Sequence, residues 1–142
     1  MINLESQLTD ELFDLHELEQ KLQSIGFTFS DNWDYEHGYF DYKIAEQGGY
    51  QFLRIPFSVV EGTLDSPTAP ATVKVNKPYL LSHAYQDGID DHVQEGNFRA
   101  AFDQFQTPRD KDADFPEEFI QTGKELIQQC EQALLVERRK QN

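Results

Sequence analysis

The chain has 142 residues, of which 26 are acidic and 12 basic, and its formal net charge at pH 7 is -14. This surplus of negative charge is repelled by phosphate groups, so the composition argues against nucleic acids and anionic membranes as partners. Hydrophobic residues make up 38% of the sequence and aromatic residues 13%, which is enough material for a folded core. We therefore expect one soluble domain spanning residues 1–142.

The compartment is predicted from what the chain lacks. Cys130 is the single cysteine, so no intrachain disulfide can form, as is usual in a reducing compartment. The first residues show neither the basic nor the apolar part of a secretory signal, and no apolar run approaches the roughly 18 residues of a membrane span. The sequence therefore predicts a cytoplasmic protein.

The first half of the chain begins with an ambiguous segment, residues 2–13, which fits either a strand or a helical turn. A helix follows over residues 14–25, because Asp14 and Glu17 form a capping box and Gly26 suits a helix end. From Phe27 the hydrophobic period changes to two, which indicates strands. The predicted strands, separated by turns and loops, are residues 27–35, 39–46, 50–61 and 72–81.

Pro56 lies within the third of these strands. Proline cannot donate a backbone hydrogen bond, so we expect a bulge or a sheet edge at this position.

The second half is more acidic and less regular. Residues 84–118 contain ten acidic and three basic residues, a net charge of -7. Phe98, Phe102 and Phe105 indicate one short docked helix there. Pro116 and the acids around it begin a last helix that runs to about residue 138, with an apolar stripe that includes Cys130. The order predicts an α+β fold, an antiparallel sheet of four to five strands with two helices on one face.

Two groups of residues have side chains that bind metals. In the first group, strand alternation places Asp31 and Asp34 on opposite faces, which favours a charged hairpin over a metal site. The second group lies in an expected loop and lacks zinc or calcium spacing. We therefore assign no metal. The groups are Asp31, Asp34, Glu36, His37 and Asp41, and His83, Asp87, Asp90, Asp91 and His92.

No catalytic residue or cofactor is predicted. The chain has no G-x-S-x-G motif and no glycine-rich phosphate loop, and Cys130 lies on an apolar stripe, where a buried thiol is usual. Aromatic residues on both strand faces instead favour a binding surface. The candidate ligand or interface residues are Trp33, Tyr35, His37, Tyr39 and Tyr50.

Three functional hypotheses follow. The first is a protein-interaction or self-associating module, for instance a homodimer. The second is a domain that binds a small molecule between sheet and helix. The third is a metal-dependent enzyme that uses His83, Asp87 and His92.

Long stretches of the sequence resemble the YugN-like family of small proteins from bacilli. They include DLHELEQKL, GFTFSDNWDYEHGYFDYKI, YQFLRIPFSVVEGTLDS, KPYLLSHAYQDGIDD and PEEFIQTGKELI, with W-D-Y at 33–35 and R-x-x-x-x-x-x-E-G at 54–62 the most distinctive. The resemblance implies a β-α-β4-α order of the TATA-box-binding-protein-like class. It implies no activity and no catalytic residue, and a shared fold does not establish function.

Overall fold

The structure is a computed structural model that describes most of the chain. Some sequence predictions lie outside the described residues: the short helix around residues 98–105, and the metal candidates Asp87, Asp90, Asp91 and His92. No helix in the described part is long and apolar enough to cross a membrane. The described residues are 1–31, 33–46, 48–64, 69–84, 115–136 and 138.

The described residues form one antiparallel sheet and two α-helices. The last helix continues into a π-helical turn, Gln132–Val136. The elements are β1 (Ile2–Asn3), β2 (Leu12–Asp14), α1 (Leu15–Ile25), β3 (Thr28–Phe29), β4 (His37–Glu46), β5 (Gly49–Glu61), β6 (Thr72–Val75), β7 (Tyr79–Ala84) and α2 (Glu117–Glu131).

The sheet is built around β5. Along one side, β5 pairs with β4 over almost its whole length. Along the other side it pairs first with β7 and then with β6. The strand order is β1-β7-β5-β4-β3, and β6 joins β2 to β5.

Alternation along β5 separates two faces of the sheet. Leu53, Ile55 and Phe57 are completely buried and belong to the apolar core. We call this the inner face; Arg54 and Pro56 lie on the opposite, outer face. Both helices add their apolar stripes to the same core, so the predicted α+β arrangement is confirmed. The buried helix residues are Leu15, Leu18, Leu22, Phe119, Gly123, Leu126, Ile127 and Cys130.

Helix α1 begins and ends as its sequence predicts. The Asp14 carboxylate accepts a hydrogen bond from the Glu17 backbone N–H at 3.1 Å, which satisfies a donor that the helix leaves unpaired. Gly26 has a φ of 129°, and its N–H donates to the carbonyls of Leu22 and Gln23. Glycine suits this end because a side chain is strained at positive φ.

Pro56 lies where β5 changes its partner. Pairing with β7 ends at Arg54, and pairing with β6 begins at Phe57. The Pro56 carbonyl accepts a hydrogen bond from the Asn76 N–H at 2.8 Å, while the missing N–H of proline faces the gap between the two partners. The expected bulge was wrong, because both register shifts of β5 lie at other positions. The alternative, an edge, is closer to the structure, because neither β6 nor β7 pairs with Pro56.

Two strand predictions differ from the structure, and the described residues form a sheet of seven strands rather than four to five. The predicted strand 72–81 is two strands, because residues 76–78, which include Pro78, separate β6 from β7. The predicted strand 27–35 stops at Phe29, and residues 30–31 and 33–36 form a loop instead.

Gly38 provides a test of packing across the central strands. It lies opposite Phe57, and a Cβ atom at Gly38 would be 2.4 Å from the Phe57 ring. We therefore expect Gly38→Ala to lower the free energy of unfolding by about 2 kcal/mol, measured by urea denaturation. The same substitution in a Phe57→Leu background should cost less, because the ring is gone. An equal cost in both backgrounds would contradict the steric explanation.

Candidate functional site

The loop between β3 and β4 carries two of the aromatic candidates, Trp33 and Tyr35. We call residues 30–31 and 33–36 the aromatic loop. Backbone hydrogen bonds fold it: the Ser30 N–H donates to the Tyr39 carbonyl at 2.8 Å, and the Asp34 N–H donates to the His37 carbonyl at 2.9 Å. The loop is tied to β5, because the Val59 N–H donates to the Glu36 carbonyl at 2.7 Å.

The Asp34 side chain closes this loop. Its Oδ1 atom accepts hydrogen bonds from the backbone N–H groups of Glu36 and His37, both at 2.8 Å. The same oxygen is 3.3 Å from His37 Nδ1. An aspartate that bonds the backbone two residues ahead forms an Asx turn, and this turn leads into β4, which begins at His37. The hydrogen bond from Glu36 is the main factor that lowers the pKa of Asp34, so its carboxylate is ionised at neutral pH.

A surface depression lies between the aromatic loop and the outer face of the sheet. Its volume is about 490 Å³. The outer-face side chains of β4 and β5 form part of its lining, and loop residues form the rest. The lining residues are Asp31, Trp33, Asp34, His37, Tyr39 and Arg54.

An ion pair on the outer face holds the sheet side of this depression. Arg54 donates to the two Asp41 oxygens at 2.8 and 2.9 Å, and these side chains are only 11% and 12% exposed. The guanidinium carbon also lies 4.6 Å from the centre of the Tyr39 ring. The bond to Asp41 raises the pKa of Arg54 still further above its usual value. This arginine is therefore charged, and the carboxylate opposite it balances its charge.

The structure brings three of the five predicted interface residues together. Trp33, His37 and Tyr39 line the depression. Tyr35 belongs to the same loop and is 68% exposed, but it does not line the depression. Tyr50 lies near the other end of β5, half-buried, with the Lys43 ammonium 5.0 Å from its ring centre.

Sequence reasoning missed Arg54 and separated two acids that belong together. Asp31 and Asp34 line the same depression because they lie in a loop, where strand alternation does not apply. Arg54 carried one usable signal: it is the only charged residue between Tyr50 and Val60. A lone charge in a two-sided strand needs a partner on a neighbouring strand.

The described residues contain no group of three or more His, Cys, Asp or Glu side chains that could hold a metal ion. In the first predicted group, Asp41 is bound to Arg54. In the second, His83 is exposed on β7 with its ring edge-on to Phe52, at 6.1 Å between centroids. Its four acidic and histidine companions lie outside the described residues.

Cys130 is a structural residue of α2. Its side chain is fully buried in the core between sheet and helices. Burial raises the pKa of its thiol to about 12, so almost no thiolate exists at neutral pH. Thiolate chemistry at this residue is therefore disfavoured.

The Arg54–Asp41 pair generates a stability prediction. Asp41→Ala leaves a guanidinium largely buried without its partner, and we expect a loss of about 2 kcal/mol in the free energy of unfolding, measured by urea denaturation. The matched control is Glu5→Ala, which breaks the exposed pair between Glu5 and Lys77 (3.2 Å). That change should cost less than about 0.5 kcal/mol. Equal costs for the two variants would contradict a structural role for the buried pair.

Both the sequence and the fold of this chain are similar to those of known proteins. The chain is 39% identical over 135 residues to an uncharacterised protein, YugN, of Bacillus subtilis (strain 168), an alignment that covers 95% of this chain and 99% of that protein. The crystal structure of an uncharacterised conserved protein YugN from Geobacillus kaustophilus HTA426 superposes with a TM-score of 0.72. The superposition covers 100% of both chains, whose sequences are 22% identical, and it shows a shared fold.

The family comparison agrees with both relatives. The model of the YugN-like family matches residues 3–134, nearly the whole chain. The sequence resemblance carried by the aromatic loop and its neighbouring strands is thereby confirmed. This protein belongs to the YugN-like family.

Proposed function

We propose that the protein is a non-enzymatic protein-interaction module that binds its partner through the aromatic loop and the adjacent depression. The observation that carries the proposal is the exposure of two aromatic side chains in one short loop. Trp33 is 44% exposed and Tyr35 is 68% exposed. Large aromatic side chains are enriched at protein interfaces because they bury much apolar surface and keep a polar group for hydrogen bonding.

A third apolar side chain belongs to the same end of the sheet. Val60 is 53% exposed, and its neighbour Val59 is hydrogen-bonded to Glu36 of the aromatic loop. Three of the five exposed large apolar side chains in the described part of the chain therefore belong to the same end of the sheet. A clustered patch of this kind is typical of an interaction site, whereas single exposed apolar residues are ordinary.

Net charge favours a different protein over a second copy of this chain. Each copy carries a formal charge of -14, so two copies repel one another at long range. A partner with a basic surface is attracted by the same field. Self-association, predicted from sequence as a homodimer, is therefore the weaker form of the proposal. The cytoplasmic location and the TATA-box-binding-protein-like order stay predictions.

A ligand between sheet and helix receives less support. Leu53, Ile55 and Phe57 of the inner face are fully buried, as are Leu18 and Leu22 of α1. These side chains belong to one continuous apolar core. The depression on the outer face, which opens to solvent, is the better-supported place for a ligand.

The proposal is tested by removing the two exposed rings. We expect the double variant Trp33→Ser/Tyr35→Ser to bind the partner at least about tenfold more weakly, because interface aromatics are frequent hot spots. The partner is first captured by the tagged wild-type protein from an extract of the cells that produce it. Its binding to each purified variant is then measured by calorimetry, and circular dichroism verifies folding.

The control is Leu12→Ser, which removes an exposed apolar side chain (49% exposed) from β2, on the far side of β6. It should change the dissociation constant by less than about twofold. An equal loss of affinity in both variants would contradict the proposed surface. A partner that binds the double variant with the same affinity as the wild type would contradict it too. Light scattering that shows a wild-type dimer dissociated by the double variant would identify the partner as a second copy.

A further inference from the structure

The chain repeats one arrangement of three side chains. A cation lies over an aromatic ring while a carboxylate contacts the same cation, so the cation gains both a cation–π contact and an ion pair. The three examples are Arg54 over Tyr39 (4.6 Å) with Asp41, Lys43 over Tyr50 (5.0 Å) with Glu46, and Arg138 over Phe13 (4.2 Å) with Glu11.

The depression contains the ring and the carboxylates of a fourth arrangement. Trp33 lies there with Asp31 and Asp34. Among the described residues, no lysine or arginine lies over the Trp33 ring or pairs with Asp31 or Asp34. Tryptophan offers the strongest cation–π face of the aromatic side chains. The depression therefore holds a ring and two carboxylates with which no described lysine or arginine makes a cation–π contact or an ion pair.

The charges of the lining favour a cation over an anion. Asp31 and Asp34 contribute two negative charges, and the charge of Arg54 is balanced by Asp41 at 2.8 Å. An anionic ligand would meet these carboxylates without a free guanidinium to bind it. The two remaining titratable side chains of the lining already have partners: His37 is in contact with Asp34, and the Tyr39 ring is in contact with Arg54.

We infer that the depression binds an arginine side chain of the partner protein, stacked on Trp33 and hydrogen-bonded to Asp31 and Asp34. This inference rests on the proposed function and specifies what the partner presents. A planar guanidinium suits the site better than an ammonium, since it can stack on the indole while its edge donates hydrogen bonds to carboxylates. The net charge of the chain steers such a basic segment towards it.

Trp33 makes the inference directly measurable, because it is the single tryptophan of the chain. The probe is a capped peptide with one arginine between alanines, and the matched peptide carries citrulline, which has nearly the same shape without the charge. We expect the arginine peptide to change the tryptophan fluorescence in a saturable way and the citrulline peptide to bind at least about tenfold more weakly. Equal binding of both peptides would overturn the inference.

Two variants that each remove one negative charge, together with one control, test whether Asp31 and Asp34 bind the arginine. Asp31→Asn and Asp34→Asn should each weaken binding of the arginine peptide by about tenfold. Asp34→Asn keeps a side-chain oxygen that can accept the hydrogen bonds of the turn. Glu36→Gln removes the same charge from the aromatic loop at a residue that does not line the depression. It should have an effect of less than about threefold, because general attraction is screened by salt. Equal effects of all three variants would overturn a specific site.

Two further results separate this inference from the proposed function. If the captured partner protein loses affinity with Trp33→Ser/Tyr35→Ser but keeps it with Asp31→Asn and Asp34→Asn, the interaction surface stands and the arginine inference fails. If free arginine amide binds as tightly as the peptide and no partner protein discriminates the aromatic variant, the depression is a small-molecule site and both fail.

Discussion

The alternation of side chains along β5, a strand paired on both of its sides, determines what each face of the sheet can do. Odd-numbered residues such as Leu53 and Ile55 are buried beneath the helices, so even-numbered residues such as Arg54 must lie on the outer face. Neighbouring strands restrict access of water to that arginine, and its charge requires a partner. Asp41 of β4 supplies it, and the pair fixes the ring of Tyr39 beside it.

The site follows from this ion pair and from the turn that Asp34 makes. The pair gives the depression a rigid wall on the sheet side, while the Asx turn folds the aromatic loop back so that Trp33 faces the same space. The result is a polar depression bordered by exposed aromatic side chains, a composition that suits recognition of a basic protein segment.

The sequence predicted those elements whose signals are local. The cap residues and leucine spacing of α1, the apolar stripe of α2 and the alternation in β5 each act within a few residues, and the structure agrees with them. The aromatic loop was misread because its aromatic residues happen to alternate like a strand, whereas the side chain of Asp34 bonds to the backbone of Glu36 and His37 and forms a turn before β4.

The pairing of Arg54 with Asp41 could not be predicted from residues close together in the sequence, for a different reason. In the register set by the turn, where Glu46 faces Tyr50, Asp41 would lie opposite the core residue Ile55. A register shift between Lys43 and Ala45 moves Asp41 opposite Arg54 instead. The need for such a bulge becomes apparent only when the two strands and their faces are considered together.

The most direct test of the account is an NMR titration of isotope-labelled protein with the capped arginine peptide. The account predicts that chemical-shift changes concentrate in the backbone amides of residues 31 and 33–39, in Arg54 and in the indole N–H of Trp33. The helices on the inner face should be unaffected. Changes centred on α1 or α2, or no change in the Trp33 indole at saturating peptide, would contradict it.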